Sequence, residues 1–393
     1  MRISFISGGL PLGGTTTYML YLAVALRDLG YESKIFSFTN DHPLQKQFLA
    51  EGIEAYLCDD ERYIYEDRLK RVYREVRKFA PDVVVAILGA DAFEVLRYIP
   101  KDVARIGVIH DRTGHPERFA LMYGPEMDRM VVVSSYLLDD IARVAPYLKC
   151  SCIKHGVPFL KSTPIRRPNL SEPLRIIYYG RLEDTAKGVR IFPKIVSALN
   201  RRKIPFCFTI HGSGPEKGFL EEALANEQKT GQVIFSSPVS HEKLPILISK
   251  NDVYLLASIH EGGPQTLLES MAIGLVPICG DIPCLIQEVI QKNNGFRVQR
   301  DNPDAYAEAI AYLHENRLVL ENLSQAARES ISQEFSSSRM ASQYLDMFET
   351  IVDYKKTPFW PETIQPMPIL GAPSWSFSFI GRLIRRIRRF KLK

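Results

Sequence analysis

Two carboxylates, Glu261 and Glu269, lie eight positions apart in the stretch EGGPQTLLES, and Gly262, Gly263 and Pro264 directly follow the first of them. Proline suits the first position of a helix, where its missing N–H removes no hydrogen bond. The glycines then leave backbone N–H groups open at a helix N-terminus, where the helix dipole attracts phosphate. Two carboxylates would repel a phosphate alone, whereas the hydroxyls of a sugar nucleotide can donate hydrogen bonds to them. The stretch therefore indicates a sugar-nucleotide site, and a capped helix whose Glu269 faces solvent is the structural alternative.

Two cations precede this stretch in the segment YYGRLEDTAKGV. A buried strand is predicted to end at Gly180, and Arg181 and Lys187 follow it within seven residues. Cations near a strand end can neutralise a diphosphate and stabilise it as a leaving group. A solvated charge pair is the alternative that this spacing leaves open. Gly212 lies in another glycine-rich turn, HGSGPEKG, whose spacing is only a weak signal for nicotinamide binding.

Both groups of residues follow apolar segments that recur along the chain with helical segments between them. The segments are continuous apolar runs rather than alternating ones, which is typical of parallel strands covered on both faces. We read them as RISFIS, YESKIFSF, DVVVAIL, ARIGVIH and RMVVVSS in the first half and LRIIYYG, FCFTIHG, VIFSSPV, VYLLASI and VPICG in the second. The sequence therefore predicts an α/β protein with two doubly wound, Rossmann-like halves.

The domain boundaries follow from length and from proline content. A chain of 393 residues is too long for one core, so two domains are expected. We predict an N-terminal domain over 1–160, a proline-rich linker over 161–173 and a C-terminal domain over 174–340. A helix over 341–356 is expected to return to the N-terminal domain, and a proline-rich segment with a basic amphipathic tail occupies 357–393.

The composition indicates a cytoplasmic protein. None of the six cysteines forms a CxxC pair or a Cys/His spacing suited to zinc, so we expect buried thiols in a reducing compartment. Glycines interrupt the first apolar segment before a signal-peptide core could form, and no apolar run approaches the ~18 residues of a membrane span.

The net charge of +5 comes from the last residues of the chain, because 381–393 contain seven Arg or Lys residues and no acid. Within 375–393, apolar residues recur at helical spacing among the arginines, after Trp375, Phe377 and Phe379. This is the composition of a helix that lies on an anionic membrane, so we predict peripheral association with the inner face of the cell membrane. A disordered basic end, or a helix docked on the first domain, is the alternative. Nucleic acid is not expected as a partner, because no recognition fold accompanies the charge.

Taken in order, these segments resemble the retaining glycosyltransferases of GT-B type, in group 1 (family 4). The resemblance runs through GGLPLGGTTTYMLYLAVALRDLGYE, VSSYLLDDI, IKHGVP, YYGRLEDTAKGV, FTIHGSGPE, VSHEKLPILISKNDVYLLASIHEGGPQTLLESMAIGLVPIC and EVIQKNNGFRV, and it covers most of residues 1–340. It implies two Rossmann-like domains that face a central cleft. It also implies transfer of a hexose from a nucleotide sugar to a glycan or lipid-linked acceptor, with retention of anomeric configuration.

The resemblance assigns roles to individual residues. It implies that Arg181 and Lys187 hold the diphosphate, that Glu261 binds the hydroxyls of the transferred sugar, and that Glu269 binds the ribose. In the first domain, His110 would contact the transferred sugar; a hydrogen-bonded structural histidine is the alternative. The remaining donor-binding candidates are Gly13, Gly14, Gly180, Gly212, Gly262, Gly263, Pro264, Gln265 and Thr266.

The chain has no Asp-x-Asp motif, so we expect no metal and no cofactor beyond the nucleotide-sugar co-substrate. It departs from the family at VIFSSPV, where Ser237 and Pro238 replace the expected pattern, so the sequence does not identify the nucleotide base. The loop HDRTGHPERFALMYGPEMD likewise does not identify the acceptor. We expect the acceptor to attack from the face that the diphosphate leaves, with Glu261 orienting the sugar rather than acting as a base. A sugar-nucleotide epimerase or hydrolase, and a non-catalytic scaffold of the same fold, remain as alternatives.

Overall fold

The computed structural model describes residues 1–40, 44–58, 63–111, 122–159, 173–237, 239, 243–283, 285–291, 293–352 and 358–366. The chain divides into two compact units. The first contains Met1–Ile153 and the described residues from Met340 onward, and the second contains Lys154–Arg339. Most of the predicted linker, residues 161–172, lies outside the described residues, as does the predicted membrane-binding tail, 375–393.

The sheet of the first unit is entirely parallel. Its strands, in chain order, are β1 (Arg2–Ser7), β2 (Glu32–Ser37), β3 (Glu54–Leu57), β4 (Val83–Leu88), β5 (Ala104–Ile109), β6 (Arg129–Val132) and β7 (Cys150–Cys152). They are arranged as β3-β2-β1-β4-β5-β6-β7, and every pairing is parallel. The strand order reverses between β1 and β4, which is the position where doubly wound sheets bind ligands.

The sheet of the second unit repeats this arrangement with six strands. They are β8 (Leu174–Arg181), β9 (Phe206–Ser213), β10 (Val233–Ser236), β11 (Val253–Leu256), β12 (Val276–Gly280) and β13 (Phe296–Val298). Their order is β10-β9-β8-β11-β12-β13, again with parallel pairings, so the reversal lies between β8 and β11. The predicted α/β class with two doubly wound Rossmann-like sheets is confirmed.

Helices connect the strands in both units. In the first unit they are α1 (Gly14–Asp28), α2 (Gln45–Ala50), α3 (Tyr65–Phe79), α4 (Ala90–Val95) and α5 (Ser135–Val144), with 3₁₀ turns at Leu96–Tyr98 and Gly124–Glu126. In the second they are α6 (Asp184–Lys187), α7 (Phe192–Arg201), α8 (Lys217–Ala223), α9 (Ala225–Lys229), α10 (Leu244–Ile248), α11 (Gln265–Ile273), α12 (Leu285–Val289), α13 (Pro303–Glu315) and α14 (Arg317–Glu334), with a 3₁₀ turn at Val189–Ile191. The chain returns to the first unit within α15 (Ser337–Glu349).

Local sequence explains where several elements begin and how they pack. Strands β4 and β11 are buried along almost their whole length, as continuous apolar runs between two helical layers should be. Helix α13 begins after Asn302, whose side chain accepts hydrogen bonds from the N–H groups of Asp304 and Ala305, and Pro303 occupies its first position. Helix α15 is fixed in the first unit by the buried Tyr344, whose hydroxyl is hydrogen-bonded to that of Tyr18 on α1.

Candidate functional site

The carboxyl edge of the second sheet, where the strand order reverses, brings Lys187 and Glu261 into direct contact. Lys187 ends the short helix that follows β8, and Glu261 follows β11. The ammonium Nζ of Lys187 lies 2.6 Å from Oε1 of Glu261, and their side chains are 20% and 9% exposed. Ser258 donates a second hydrogen bond to the same Oε1 atom, at 2.7 Å. The pair is thus partly desolvated and charge-assisted, which makes it stronger than an exposed ion pair.

Gly188 allows this contact to form. Its backbone is left-handed, with φ of +62°, and a Cβ atom there would lie 2.3 Å from the carbonyl oxygen of Ala257. The N–H of Ile259 donates to the carbonyl of Ala186 at 2.8 Å, so the segment after β8 is joined to the segment after β11 through the backbone. A side chain at Gly188 would push the two segments apart and separate Lys187 from Glu261.

Arg181 lies apart from this pair. It is the last residue of β8, its side chain is 62% exposed, and its guanidinium is 3.1 Å from Glu183. At the same strand end, Gly180 is paired with Gly212, and a Cβ atom on Gly212 would lie 1.9 Å from the carbonyl oxygen of Gly180. Gly212 is therefore required for the close approach of β8 and β9.

Gly262 and Gly263 lead into α11, which begins at Gln265 rather than at Pro264. The prediction that Pro264 is the first helical residue is corrected by one position, because its ψ of 99° is extended and it precedes the helix as the N-cap. A Cβ atom on Gly263 would lie 2.7 Å from Nδ1 of the buried His155, so this glycine is needed for packing. No sequence pattern predicts this role for His155.

The side chain of Gln265, a predicted donor-binding residue, points into the protein. It is 4% exposed, and its Nε2 donates to the carbonyl of Gly156 at 3.2 Å. Its Oε1 is buried and has no hydrogen-bond partner among the described residues. Gln265 therefore anchors the start of α11 to the segment at which the chain enters the second unit.

Glu269 belongs to a group of tyrosines and hydroxyls beneath α11. The Tyr179 hydroxyl lies 2.7 Å from the carbonyl oxygen of Thr266 and 3.3 Å from Oε2 of Glu269, and it accepts a hydrogen bond from Ser270. Tyr254 is hydrogen-bonded to Oγ1 of Thr266 at 2.7 Å. Burial holds the pKa of Tyr254 well above its usual value, so this phenol stays neutral. Glu269 is half-buried, which does not fit the alternative of a carboxylate that simply faces solvent.

The first unit has its own candidates at the equivalent edge. Gly13 precedes α1 and Gly14 begins it, and a Cβ atom on Gly13 would meet nothing within 4 Å. Two residues into the helix, the hydroxyl of Thr16 is buried and has no hydrogen-bond partner among the described residues. Thr16 was not among the predicted site residues, although its place in GGTTT next to the glycines was a usable signal.

His110 directly follows β5 and packs edge-on against Tyr18, with ring centroids 4.7 Å apart. Burial lowers the pKa of His110 to about 3, so its imidazole is neutral at physiological pH. A neutral imidazole can donate one hydrogen bond and accept another, which suits a sugar hydroxyl better than a phosphate.

Within the described residues, no group of three or more His, Cys, Asp or Glu side chains is arranged to hold a metal ion. In the same part of the chain, no helix combines the length and the apolar character needed to cross a bilayer.

The two reversal points define a doubly wound α/β protein that carries a partly buried Lys187–Glu261 pair at the carboxyl edge of its second sheet. Two family models match this chain: Glycosyltransferase Family 4 over residues 12–159 and Glycosyl transferases group 1 over residues 163–330. The chain belongs to the group 1 glycosyltransferases.

This chain spans about half or less of the length of most of the curated relatives that it matches. The colanic acid biosynthesis glycosyltransferase WcaL of Salmonella typhimurium, named as putative, is 24% identical over 52% of this chain and 52% of its own. The GDP-mannose:cellobiosyl-diphosphopolyprenol alpha-mannosyltransferase of Xanthomonas oryzae is 31% identical over 47% of this chain and 48% of its own.

Solved structures match over nearly the whole chain. A glycosyltransferase from Rickettsia africae has a TM-score of 0.73 at 18% identity and covers 90% of this chain and 99% of its own. The Anabaena protein HepE in complex with UDP has a TM-score of 0.71 at 16% identity and covers 89% of this chain and 100% of its own. These neighbours establish the GT-B fold, as the sequence predicted.

Proposed function

We propose that this protein transfers a hexose from a nucleoside-diphosphate sugar to an acceptor hydroxyl, with retention of anomeric configuration. The contact between Lys187 and Glu261 carries the proposal. It places one cation and one carboxylate at the carboxyl edge of a parallel sheet, where such sheets bind nucleotides. An ammonium has three donors, so Lys187 can remain bonded to Glu261 and still reach a phosphate oxygen.

The chemistry divides between the two charged side chains. Lys187 stabilises negative charge that develops on the leaving diphosphate, and this lowers the barrier to cleavage of the glycosidic bond. Glu261 accepts hydrogen bonds from hydroxyls of the transferred sugar and orients its ring, while Ser258 and Lys187 hold the carboxylate in place. Arg181 is exposed enough to turn from Glu183 toward the diphosphate, and Glu269 accepts hydrogen bonds from the ribose.

The first unit is assigned a supporting role. Gly13 and Gly14 lie at the N-terminus of α1, where backbone N–H groups donate hydrogen bonds to the diphosphate. The neutral imidazole of His110 contacts the transferred sugar. The departing diphosphate oxygen takes the proton of the acceptor hydroxyl, so no side chain is required as a general base.

The acceptor class follows from the relatives. Curated relatives include glycosyltransferases of colanic acid and O-antigen biosynthesis and an enzyme named for a diphosphopolyprenol-linked acceptor. We therefore propose a glycan or lipid-linked acceptor in cell-envelope polysaccharide or glycolipid synthesis. Residues 375–393, with their arginines and aromatic residues, would hold the enzyme at an anionic membrane surface on the cytoplasmic side.

A donor panel tests the proposal. The protein is incubated with radiolabelled UDP-, GDP- and ADP-sugars, with and without lipid extract, and nucleotide release and labelled product are measured. One donor should support release that increases with lipid extract, and proton NMR of the product should show the anomeric configuration of the donor. Release or isomerisation of the sugar without any acceptor would instead identify an epimerase or hydrolase.

Two glutamate variants link the activity to the site. Glu261→Gln should lower transfer by about 100-fold or more, because the uncharged amide orients the sugar poorly. Glu222→Gln changes an exposed glutamate of the same unit and should leave transfer unchanged. Full activity in the Glu261 variant would remove the assignment of this site.

A further inference from the structure

Helix α3 of the first unit carries three cations along one side, of which two are exposed and one is half-buried. Its sequence, YEDRLKRVYREVRKF, contains six basic residues, and Lys70, Arg74 and Arg77 recur at a spacing of four and three. Residues at this spacing lie on one face of a helix. Leu69, Val72, Tyr73 and Val76 form the buried face of the helix, whereas Lys70 and Arg74 are exposed and Arg77 is half-buried beside that face.

These three cations differ from the other basic residues of α3. Lys78 is paired with Glu75 at 2.8 Å, Arg68 lies 4.0 Å from Asp91, and Arg71 stacks on the ring of Tyr63. No carboxylate among the described residues forms an ion pair with Lys70, Arg74 or Arg77. Their positive charge is therefore available to an external anionic surface.

An exposed aromatic residue is fixed beside the same helix. Tyr73 of α3 packs on Trp360, with ring centroids 6.2 Å apart, and its hydroxyl donates to the carbonyl of Pro361 at 2.9 Å. The segment 358–366 is thereby held along α3. Phe359, next to Trp360, is 82% exposed, so its ring is available to a surface that meets this side of the segment.

The segment 358–366 precedes the basic tail in the sequence. Trp360 and Pro361 contact α3, and the last 13 residues of the protein carry seven Arg or Lys residues. Two basic regions repel each other, so the tail gains nothing from docking on the cations of α3. A surface with many negative charges can satisfy both regions together.

We propose that the α3 surface, made of Lys70, Arg74, Arg77 and Phe359, docks on an anionic lipid bilayer. The cations meet lipid phosphate groups, and the Phe359 ring enters the boundary between headgroups and acyl chains. This inference deepens the membrane partner named in the proposed function, and it is independent of the donor site in the second unit. It gives the folded part of the first unit a lipid contact of its own, in addition to the tail.

Vesicle flotation of the full-length chain tests the surface. The vesicles contain phosphatidylcholine alone or with phosphatidylglycerol, and four proteins are compared. They are the parent, an α3 variant (Lys70→Gln, Arg74→Gln, Arg77→Gln), a tail variant (Arg382, Arg385, Arg386, Arg388 and Arg389 to Gln), and the two combined. The matched control neutralises three exposed lysines of the second unit that form no ion pair with another described residue, Lys194→Gln, Lys203→Gln and Lys229→Gln.

The α3 variant should bind phosphatidylglycerol vesicles about 100-fold more weakly than the parent, because each basic side chain near an anionic surface contributes about fivefold. The tail variant should keep part of the binding, the combined variant should lose it, and the control should match the parent. Phe359→Ser should weaken binding several-fold at about 1 M salt, where charge is screened and the ring dominates. Circular dichroism should show the same unfolding midpoint for the parent and the α3 variant.

The outcomes separate this surface from the other proposals. Parent-like binding of the α3 variant, or complete loss of binding in the tail variant, would overturn the α3 surface and leave the tail intact. Absence of vesicle binding by the parent would overturn both. Binding of a DNA duplex that depends on the three cations, without vesicle binding, would overturn the lipid assignment. Transfer to a soluble acceptor reports on the donor site separately and should be unchanged in the α3 variant.

Discussion

Lys187 and Glu261 are separated by 74 positions in the chain, yet their charged atoms lie 2.6 Å apart. The sequence predicted two separate roles, binding of a diphosphate by Lys187 and binding of a sugar by Glu261. The structure joins them in one hydrogen-bonded group with Ser258, so a change in either residue must alter the other. Electrostatic support for the leaving group and orientation of the sugar are therefore coupled at this site.

This coupling predicts a non-additive double-mutant cycle. Lys187→Met leaves the Glu261 carboxylate mostly buried without its cation, and should lower the free energy of unfolding by about 2–3 kcal/mol. Glu261→Gln should cost about as much, whereas the double variant should cost clearly less than the sum of the two. Urea denaturation of the four proteins measures the coupling. Additive losses would show that the two side chains do not interact in solution.

Activity should follow a different pattern in the same four proteins. Each single variant should lose about 100-fold or more in kcat/KM, because each removes a contact made to the substrate. The double variant should be no more active than either single one, even though its loss of stability is less than additive. Recovery of transfer in the double variant would contradict the proposed roles.

Gly263 should be intolerant of even one added methyl group. In Gly263→Ala the new Cβ atom would lie 2.7 Å from Nδ1 of His155, so the segment before α11 must shift. We expect a loss of about 1–3 kcal/mol in stability and a higher KM for the donor. The measurements are urea denaturation and initial rates against donor concentration.

Two further variants make the Gly263 test specific. His155→Ala removes the ring and should partly restore the donor KM of Gly263→Ala. Gly218→Ala is the matched control, because a Cβ atom there meets nothing within 4 Å and the residue lies inside α8, where alanine is favoured. It should be as stable as the parent or more so. A Gly263→Ala protein with parent-like stability and KM would refute the packing argument.

Tyr179 should affect donor binding more than turnover. Tyr179→Phe removes the hydroxyl that lies 2.7 Å from the Thr266 carbonyl and 3.3 Å from Glu269. Stability should fall by about 1 kcal/mol, and the donor KM should rise several-fold because Glu269 is less well positioned for the ribose. Steady-state kinetics should show kcat nearly unchanged. A large fall in kcat with constant KM would place Tyr179 in the chemical step instead.

The sequence predicted the buried strands and the doubly wound class, because a continuous apolar run in an α/β protein is typical of a parallel strand covered on both faces. It missed β3, β7 and β13, which are three or four residues long. Each of the three is an edge strand without a fully buried residue, so it has no continuous apolar run, and it forms because a longer parallel neighbour supplies backbone hydrogen bonds.

The candidate site was predictable where residue type alone limits chemistry, as for Lys187, Glu261 and Glu269. It was not predictable where packing decides the direction of a side chain. Gln265 follows the glycines in sequence, but its amide is directed to Gly156, and His155 lies against Gly263 from more than one hundred positions away. Contacts between residues so distant in the chain depend on the tertiary fold and leave no local pattern.

The lowered pKa of His110 should make stability depend on pH. Its folded pKa of about 3 lies below the ordinary value of 6.5, so between these two values the unfolded chain binds more protons than the folded one. Stability from this group is therefore fully present above about pH 6.5 and is lost progressively as the pH falls toward about 3. At about pH 5 the parent should have lost about 2 kcal/mol through this group, whereas His110→Asn, which does not titrate, should not show that loss. Urea denaturation at about pH 7 and about pH 5 measures the difference for both proteins, and other titrating groups cancel in the comparison. An equal pH dependence in the two proteins would mean that the imidazole is protonated in the folded state, and the neutral hydrogen-bonding role of His110 would fail with it.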